Sequence, residues 1–306
     1  MSGEKKYRGV VVPMVTPFTD KGEIDIDAAK RVTEHIVAGG ACPFVLGTTG
    51  EGTSVPDSAR PAFVEATVKQ TAGRTMTYAS IASNCFSSSV EAAKKYFDLG
   101  LDAVVVNLPS YYPLTPDHML KFYEKLVESI PCPMMVYNIT ITTHMSIPLD
   151  VVDKLSHHPK IVGLKDSEKD EERFKEAINM WKDRSDFSHF TGSAGLSTMA
   201  LLLGSDGIVP STGNFVPRVY RDLYEAGVKG DEETANKLQE LTNEMGKAYQ
   251  KGRILSQSLA GLKVIMNELG LCGTAVLPPL YETGPEETKK IKQEMARLEI
   301  AKHSGV

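Results

Sequence analysis

The stretch Ile161-Val162-Gly163-Leu164-Lys165-Asp166-Ser167 carries a single lysine at the end of an apolar run. A short apolar run closed by Asp-Ser reads as a buried strand with the start of the following loop. Side chains along a strand alternate between its two faces. Val162 and Leu164 are therefore expected on one face, and Lys165 on the other with Ile161 and Gly163. An ammonium group at that position has two readings. Either the lysine ends the strand and reaches water, or it is held in a pocket to do chemistry. The choice depends on the kind of sheet to which the strand belongs.

Outward from this stretch the same unit recurs. Strand-like runs fall at 9–15, 43–48, 76–82, 103–108, 133–138, 161–165, 187–191 and 207–210. Each is followed by a longer segment of helical period. Residues 25–38 place Ile26, Ala29, Val32, Ile36 and Val37 on one face and stop at Gly39-Gly40, a helix-terminating signal. Ser87 is expected to cap a helix running to about Leu99, Thr115-Pro116 and Ile147-Pro148 open two more, and Ser193 or Ser197 opens a short one ending near Leu203-Gly204. Eight strands alternating with eight helices predict an α/β fold, a (β/α)8 TIM barrel with a C-terminal helical extension. The barrel is expected over 1–230, as the catalytic unit, and the extension over 231–306, with helices at 232–250, 254–269 and 285–301. An open doubly wound sheet is disfavoured, because no Gly-rich dinucleotide loop follows the first strand.

Composition sets the limits on function. The 306 residues are 42% hydrophobic and 24% charged, with a net charge of −5. That predicts a soluble globular protein with a sizeable core. No basic stripe marks a nucleic-acid partner. The longest apolar runs, of about seven residues, are too short for a membrane span. The N-terminal MSGEKKYRG lacks the apolar core of a signal peptide. Cys42, Cys85, Cys132 and Cys272 form no CxxC pair and read as free thiols, which together predicts a cytoplasmic, reduced protein.

Active sites of such barrels lie at the C-terminal ends of the strands. Those ends read Thr16-Pro17-Phe18, Gly47-Thr48-Thr49-Gly50-Glu51, Pro109-Ser110-Tyr111-Tyr112, Tyr137-Asn138, Lys165, Gly192-Ser193 and Ser211-Thr212. The set holds one lysine with several hydroxyls and phenols. Metal chemistry is disfavoured, since ligand clusters are missing there. A Ser-His-Asp hydrolase is disfavoured too: His118, His144, His157, His158 and His189 are expected on helices or loops, in surface or capping roles. A lysine in a desolvated barrel mouth loses proton affinity, because burial disfavours the charged form. Its neutral amine can then attack a ketone and form a Schiff base. The protonated imine draws electrons from the neighbouring carbon–carbon bond, which permits aldol cleavage or the reverse addition. Tyr137, one strand earlier, is the expected acid/base. In the GTTGEG stretch, Gly47 and Gly50 are expected to let the backbone turn sharply, so that amides and the Thr48 and Thr49 hydroxyls converge on a carboxylate. A 2-oxo acid fits all three parts. Asp166 and Ser167 are read as loop and helix-start residues.

GTTGEG after strand two, PSYYPLT after strand four, VYN on strand five and GLKDS on strand six together resemble the dihydrodipicolinate synthase/N-acetylneuraminate lyase family of class I aldolases. The resemblance extends over nearly the whole chain. It implies a (β/α)8 barrel with a C-terminal helical segment, a homotetramer built as a dimer of dimers, and no cofactor beyond the lysine imine. It implies Lys165 as the Schiff-base lysine and Tyr137 as the proton-transfer phenol. Thr48 would link that phenol into a relay, with Tyr111 as its other phenol, lent to the neighbouring subunit in some relatives. Thr49 would bind the carboxylate. Two departures bear on the substrate. Dihydrodipicolinate synthases carry an arginine where this chain has Thr142, so the bidentate clamp for a second carboxylate is missing. Sialic acid lyases carry Asp-Glu after the strand-seven glycine, where Gly192 is followed here by Ser193-Ala194. Ser193, Ser211 and Thr142 leave a hydroxyl-bearing wall without fixed charge. The expected substrate is a 2-keto-3-deoxy sugar acid or similar, cleaved to pyruvate and an aldehyde. Dihydrodipicolinate synthesis, dehydration of a sugar acid and non-enzymatic 2-oxo acid binding are the alternatives.

Overall fold

The computed structural model describes residues 5–306; the first four residues of the N-terminal segment lie outside them. Eight strands appear among the described residues: β1 (Gly9–Pro13), β2 (Cys42–Val45), β3 (Tyr78–Ser80), β4 (Ala103–Asn107), β5 (Met134–Asn138), β6 (Ile161–Asp166), β7 (Ser188–Thr191) and β8 (Gly207–Ile208). They pair in parallel, in chain order, and close into a barrel where Gly9 and Val10 meet Gly207 and Ile208. All eight expected strands are present. Most are shorter than the apolar runs suggested; β1, β2 and β8 leave the ladder early to build the loops of the mouth, whereas β5 and β7 start one residue late.

Helices follow as α1 (Ile26–Ala38), α2 (Arg60–Thr71), α3 (Phe86–Asp98), α4 (Pro116–Ser129), α5 (Thr140–Thr143), α6 (Leu149–Ser156), α7 (Glu171–Trp181), α8 (Ser197–Leu203) and α9 (Pro217–Val228), then α10 (Glu232–Gln250), α11 (Leu255–Glu268), α12 (Pro285–Arg297) and α13 (Ile300–Ser304). Their starts have local causes. The Asp25 carboxylate accepts from the Ala28 amide at 2.9 Å, and α1 then buries Ala28, Ala29, Val32 and Ile36. The Thr115 hydroxyl caps α4 ahead of Pro116. Three expectations are corrected. Cys85, not Ser87, precedes α3, and Ser87 lies inside its first turn. Neither Ser193 nor Ser197 caps α8 through its side chain; a short turn at Ala194–Leu196 leads into that helix. The last long helix breaks at Leu298-Glu299, where Glu299 is left-handed, and resumes as α13. None of the described helices is long and apolar enough to cross a membrane.

Two apolar layers result. Val11, Phe44, Tyr78, Val105, Met135, Val162 and Phe190 fill the barrel, while Val10, Val45, Val104, Val136 and Leu164 pack outward against the helices. The β6 stretch corrects the simple alternation. Met134 pairs with Ile161 but Met135 pairs with Gly163, so Val162 is an extra residue in the ladder, a bulge. Val162 therefore joins the interior, Leu164 the outer layer, and Lys165 points inward, on the same side as Val162 rather than opposite it.

Candidate active site

Lys165 is 4% exposed, so the reading of it as a solvated strand end is excluded. The register places Tyr137 directly opposite it on β5. The Lys165 ammonium lies 3.8 Å from the centre of the Tyr137 ring and 4.7 Å from that of Phe44. Burial among these rings pushes its pKa down from the ordinary lysine value, and Tyr137 partly opposes the shift. Proton loss is thereby made easier, which is what a nucleophilic amine needs.

The hydroxyl turn follows β2. Thr49 is buried and Thr48 partly so. The residues that take the left-handed backbone are Leu46, with φ of 60°, and Glu51, with φ of 54°, rather than the glycines. Gly47 and Gly50 are required for closeness: a Cβ on Gly47 would stand 2.8 Å from the Phe44 ring, and one on Gly50 2.7 Å from the Met14 carbonyl. The turn is thus pressed against the ring that also faces Lys165. The Thr16 hydroxyl, at the end of β1, donates to the Gly50 carbonyl.

A polar clamp stands behind Tyr137 and Lys165. Their neighbours Asn138 and Asp166 face out of the barrel, and Asn138 Nδ2 donates to Asp166 Oδ1 at 2.8 Å. Arg173 Nε, on α7, donates to Asp166 Oδ2 at 2.7 Å, and Arg173 also reaches the Ile147 carbonyl at 2.8 Å. Asn138 and Asp166 are fully buried. Burial raises the Asp166 pKa, and Arg173 is the strongest of the neighbours opposing it. This corrects the reading of Asp166 as a loop residue: it ends β6 and fastens β5 to β6 where Tyr137 faces Lys165. Ser167 is also more than a helix-start residue. Its Oγ lies 3.5 Å from the Tyr137 hydroxyl; the two-residue strand period from Lys165 is the signal in the sequence that points to it.

The remaining candidates are distributed around the mouth. Gly192 packs so tightly on the β6 end that a Cβ would stand 2.0 Å from Ser167 Oγ. Ser193 is partly buried beside it. Ser211 bonds the hydroxyl of Tyr249, on α10, at 2.8 Å, bringing a C-terminal helix to the rim. Thr142 is partly buried on α5, its Oγ1 3.5 Å from the Ile139 carbonyl. Tyr111 is 75% exposed, its ring against Tyr112, with its amide near Asn84 Oδ1; the single chain does not bring it to Tyr137. His189 corrects the surface reading of the histidines. It lies in β7, fully buried, with Nδ1 3.0 Å from the Ser205 hydroxyl, and burial aided by the charges of Arg173 and Lys5 takes its pKa down to about 3.

Among the described residues one other lysine is buried. Lys263 on α11 lies 2.6 Å from Glu51 and donates to the Ala275 carbonyl at 2.7 Å. Its ammonium is committed to those partners, whereas Lys165 faces aromatic rings. A surface cavity of about 750 Å³ lies between α11, α12 and the loops before them, lined by Lys251, Arg253, Tyr281 and Glu287. It contains no strand-end residue and is not the site.

Comparison with known proteins finds a matching family and similar solved structures. The model of the dihydrodipicolinate synthetase family matches residues 6–298. A 4-hydroxy-tetrahydrodipicolinate synthase of Methanospirillum hungatei is 28% identical over 96% of this chain and 100% of that protein. An uncharacterized DapA-like lyase of Pyrococcus abyssi is 30% identical over 96% of this chain and 99% of its own length. The solved dihydrodipicolinate synthase of Bacteroides thetaiotaomicron superposes with a TM-score of 0.90 at 31% identity, covering 95% of this chain and 98% of that one.

Proposed function

Since the chain belongs to the dihydrodipicolinate synthetase family, whose members are pyruvate-dependent lyases and synthases of the class I aldolase type, we propose that it cleaves a 2-keto-3-deoxy sugar acid, or a close relative, to pyruvate and an aldehyde. The observation that carries this reading is the buried Lys165 facing Tyr137; the family resemblance adds that Thr142 stands where dihydrodipicolinate synthases carry an arginine.

The neutral Lys165 amine attacks C2 of the substrate, and loss of water gives an imine that takes up the phenol proton of Tyr137. The C3–C4 bond then breaks. Its electron pair moves toward the imine nitrogen and leaves an enamine, while the C4 hydroxyl gives its proton to Tyr137 and becomes an aldehyde. Tyr137 returns a proton to C3, and water releases pyruvate and the free lysine. Thr49 and the amides around Gly47 hold the C1 carboxylate, and Thr48 links the phenol to its proton source. Ser193, Ser211 and Thr142 offer neutral hydrogen bonds to a hydroxylated tail. Gly192 lets the end of β7 close against the end of β6, which carries Ser193 to the mouth. A tail ending in a second carboxylate finds Thr142 in place of an arginine, and the nearby Arg173 is engaged with Asp166. Tyr111, exposed on the single chain, serves a neighbouring subunit's relay in a homotetramer assembled as a dimer of dimers.

The names of the relatives favour a second reading, condensation of pyruvate with aspartate semialdehyde. A substrate panel separates the two: pyruvate release from 2-keto-3-deoxy sugar acids is expected to exceed condensation with aspartate semialdehyde, and the reverse order would replace the first reading with the second. Release of water without pyruvate would mark dehydration through the same imine. Tyr137→Phe is expected to slow turnover by about 10²- to 10⁴-fold while imine trapping partly survives. It also removes the group that holds the Lys165 pKa up. The pH at which trapping reaches half its maximum should therefore lie below the ordinary lysine value in the wild type and lower still in the variant. Turnover like that of the wild type would exclude Tyr137 as the proton carrier.

A further inference from the structure

We infer that the buried Glu51–Lys263 pair is a positioning device, through which the C-terminal helix α11 sets the turn that grips the substrate carboxylate. The inference rests on the proposal that the Thr48–Thr49 turn receives that carboxylate. Glu51 closes the turn, two residues after Thr49. Its amide donates to the Thr48 carbonyl at 3.2 Å, and its own carbonyl accepts from Ser54 at 2.8 Å. Its backbone is left-handed, at φ of 54°. A glutamate has no intrinsic reason to sit there, so the surroundings must hold it. They do so through the side chain, which meets the Lys263 ammonium at 2.6 Å, with both side chains wholly shielded from water. Lys263 is in turn fixed by the Ala275 carbonyl at 2.7 Å and lies 4.3 Å from the centre of the Phe18 ring, in the loop after β1.

The turn is therefore held from two sides, by Thr16 through Gly50 and by α11 through Glu51. A pair of apolar side chains would secure the same packing with less desolvation. What such a pair would not supply is direction. A carboxylate seat must hold its donors to within a fraction of an ångström, and a short ionic contact fixes where the end of the turn lies.

The test uses the full-length double variant Glu51→Gln/Lys263→Met, which removes both charges and leaves neither buried alone. Two quantities are measured: the pyruvate concentration that half-saturates borohydride trapping, and hydrogen exchange of the amides from Gly47 to Gly52. In a folded variant, half-saturation is expected to rise about 10-fold or more, short of the roughly 10²-fold cost of a full ångström of misplacement, with the saturating trapping rate nearly kept. The turn amides should exchange faster while those of β5 do not change. Half-saturation and turn exchange both equal to the wild type would overturn the inference. If the wild type itself forms no adduct, the proposed function fails, and the exchange data alone decide the coupling. If the double variant does not fold, Glu51→Gln alone is measured in the same two ways: a rise in both quantities supports the coupling, and wild-type values of both overturn it.

Discussion

Lys165→Met is expected to give a folded barrel that forms no pyruvate adduct and turns over on the order of 10⁶-fold more slowly, the scale of loss when a covalent nucleophile is removed. Both halves follow from the same geometry. The amine is the only group at the described strand ends able to form an imine, and it lies within a ring-lined pocket beside Tyr137 and Phe44. Methionine matches its length and suits that pocket. Stability should move the other way. Because burial lowers the lysine pKa in the folded state, the unfolded chain binds the proton more tightly. The lysine therefore lowers stability at neutral pH, and the penalty fades as pH rises toward the ordinary lysine value. The variant is expected to unfold at a higher urea concentration than the wild type at pH 7, with the gap narrowing at high pH. A midpoint well below that of the wild type would show that the ammonium has a stabilising partner.

Asp166→Ala is expected to cost about 3–5 kcal/mol, the range for removing one member of a buried ion pair. Of its carboxylate contacts Arg173 would keep only the looser 3.6 Å one with Glu168, and Asn138 would lose one of its two 2.8 Å carboxylate acceptors. The damage should reach the chemistry, since Tyr137 and Lys165 are the chain neighbours of the two residues that clamp β5 to β6. Adding Arg173→Met to the alanine variant should restore part of the stability by removing the stranded charge. Urea unfolding measures both effects, and a loss below about 1 kcal/mol, the worth of a surface pair, would show that Asp166 is not a clamp.

How far the sequence could be read depended on the range of the interaction involved. Each strand was visible because a parallel barrel buries both faces, and such strands read as continuous apolar runs. The start of α4 at Thr115-Pro116 was visible because a cap is decided within three residues. The facing of β6 was not. One bulged residue, Val162, inverts the alternation before it, and only the partner strand reveals the extra residue. Asp166 read as a loop because a carboxylate ends an apolar pattern, yet Arg173 and Asn138 offset the cost of its burial. His189 looked like a surface residue because its hydrogen-bond partner, Ser205, lies on the far side of α8 in the chain. The Glu51–Lys263 contact left no local trace, since its halves lie on β2's loop and on α11. Lys165, Tyr137, Thr48 and Thr49 could be chosen as candidates because strand ends of a barrel converge on one mouth whatever the loops do. Tyr111 could be chosen by motif alone, and on the single chain its ring is exposed.

The central claim is that Lys165 forms an imine with a 2-oxo acid. The most direct measurement is to incubate the wild-type protein with pyruvate and borohydride, digest it, and locate the added mass by tandem mass spectrometry. One adduct per chain is predicted, on Lys165. Folded protein carrying no adduct, or an adduct on Lys263 instead, would contradict that claim.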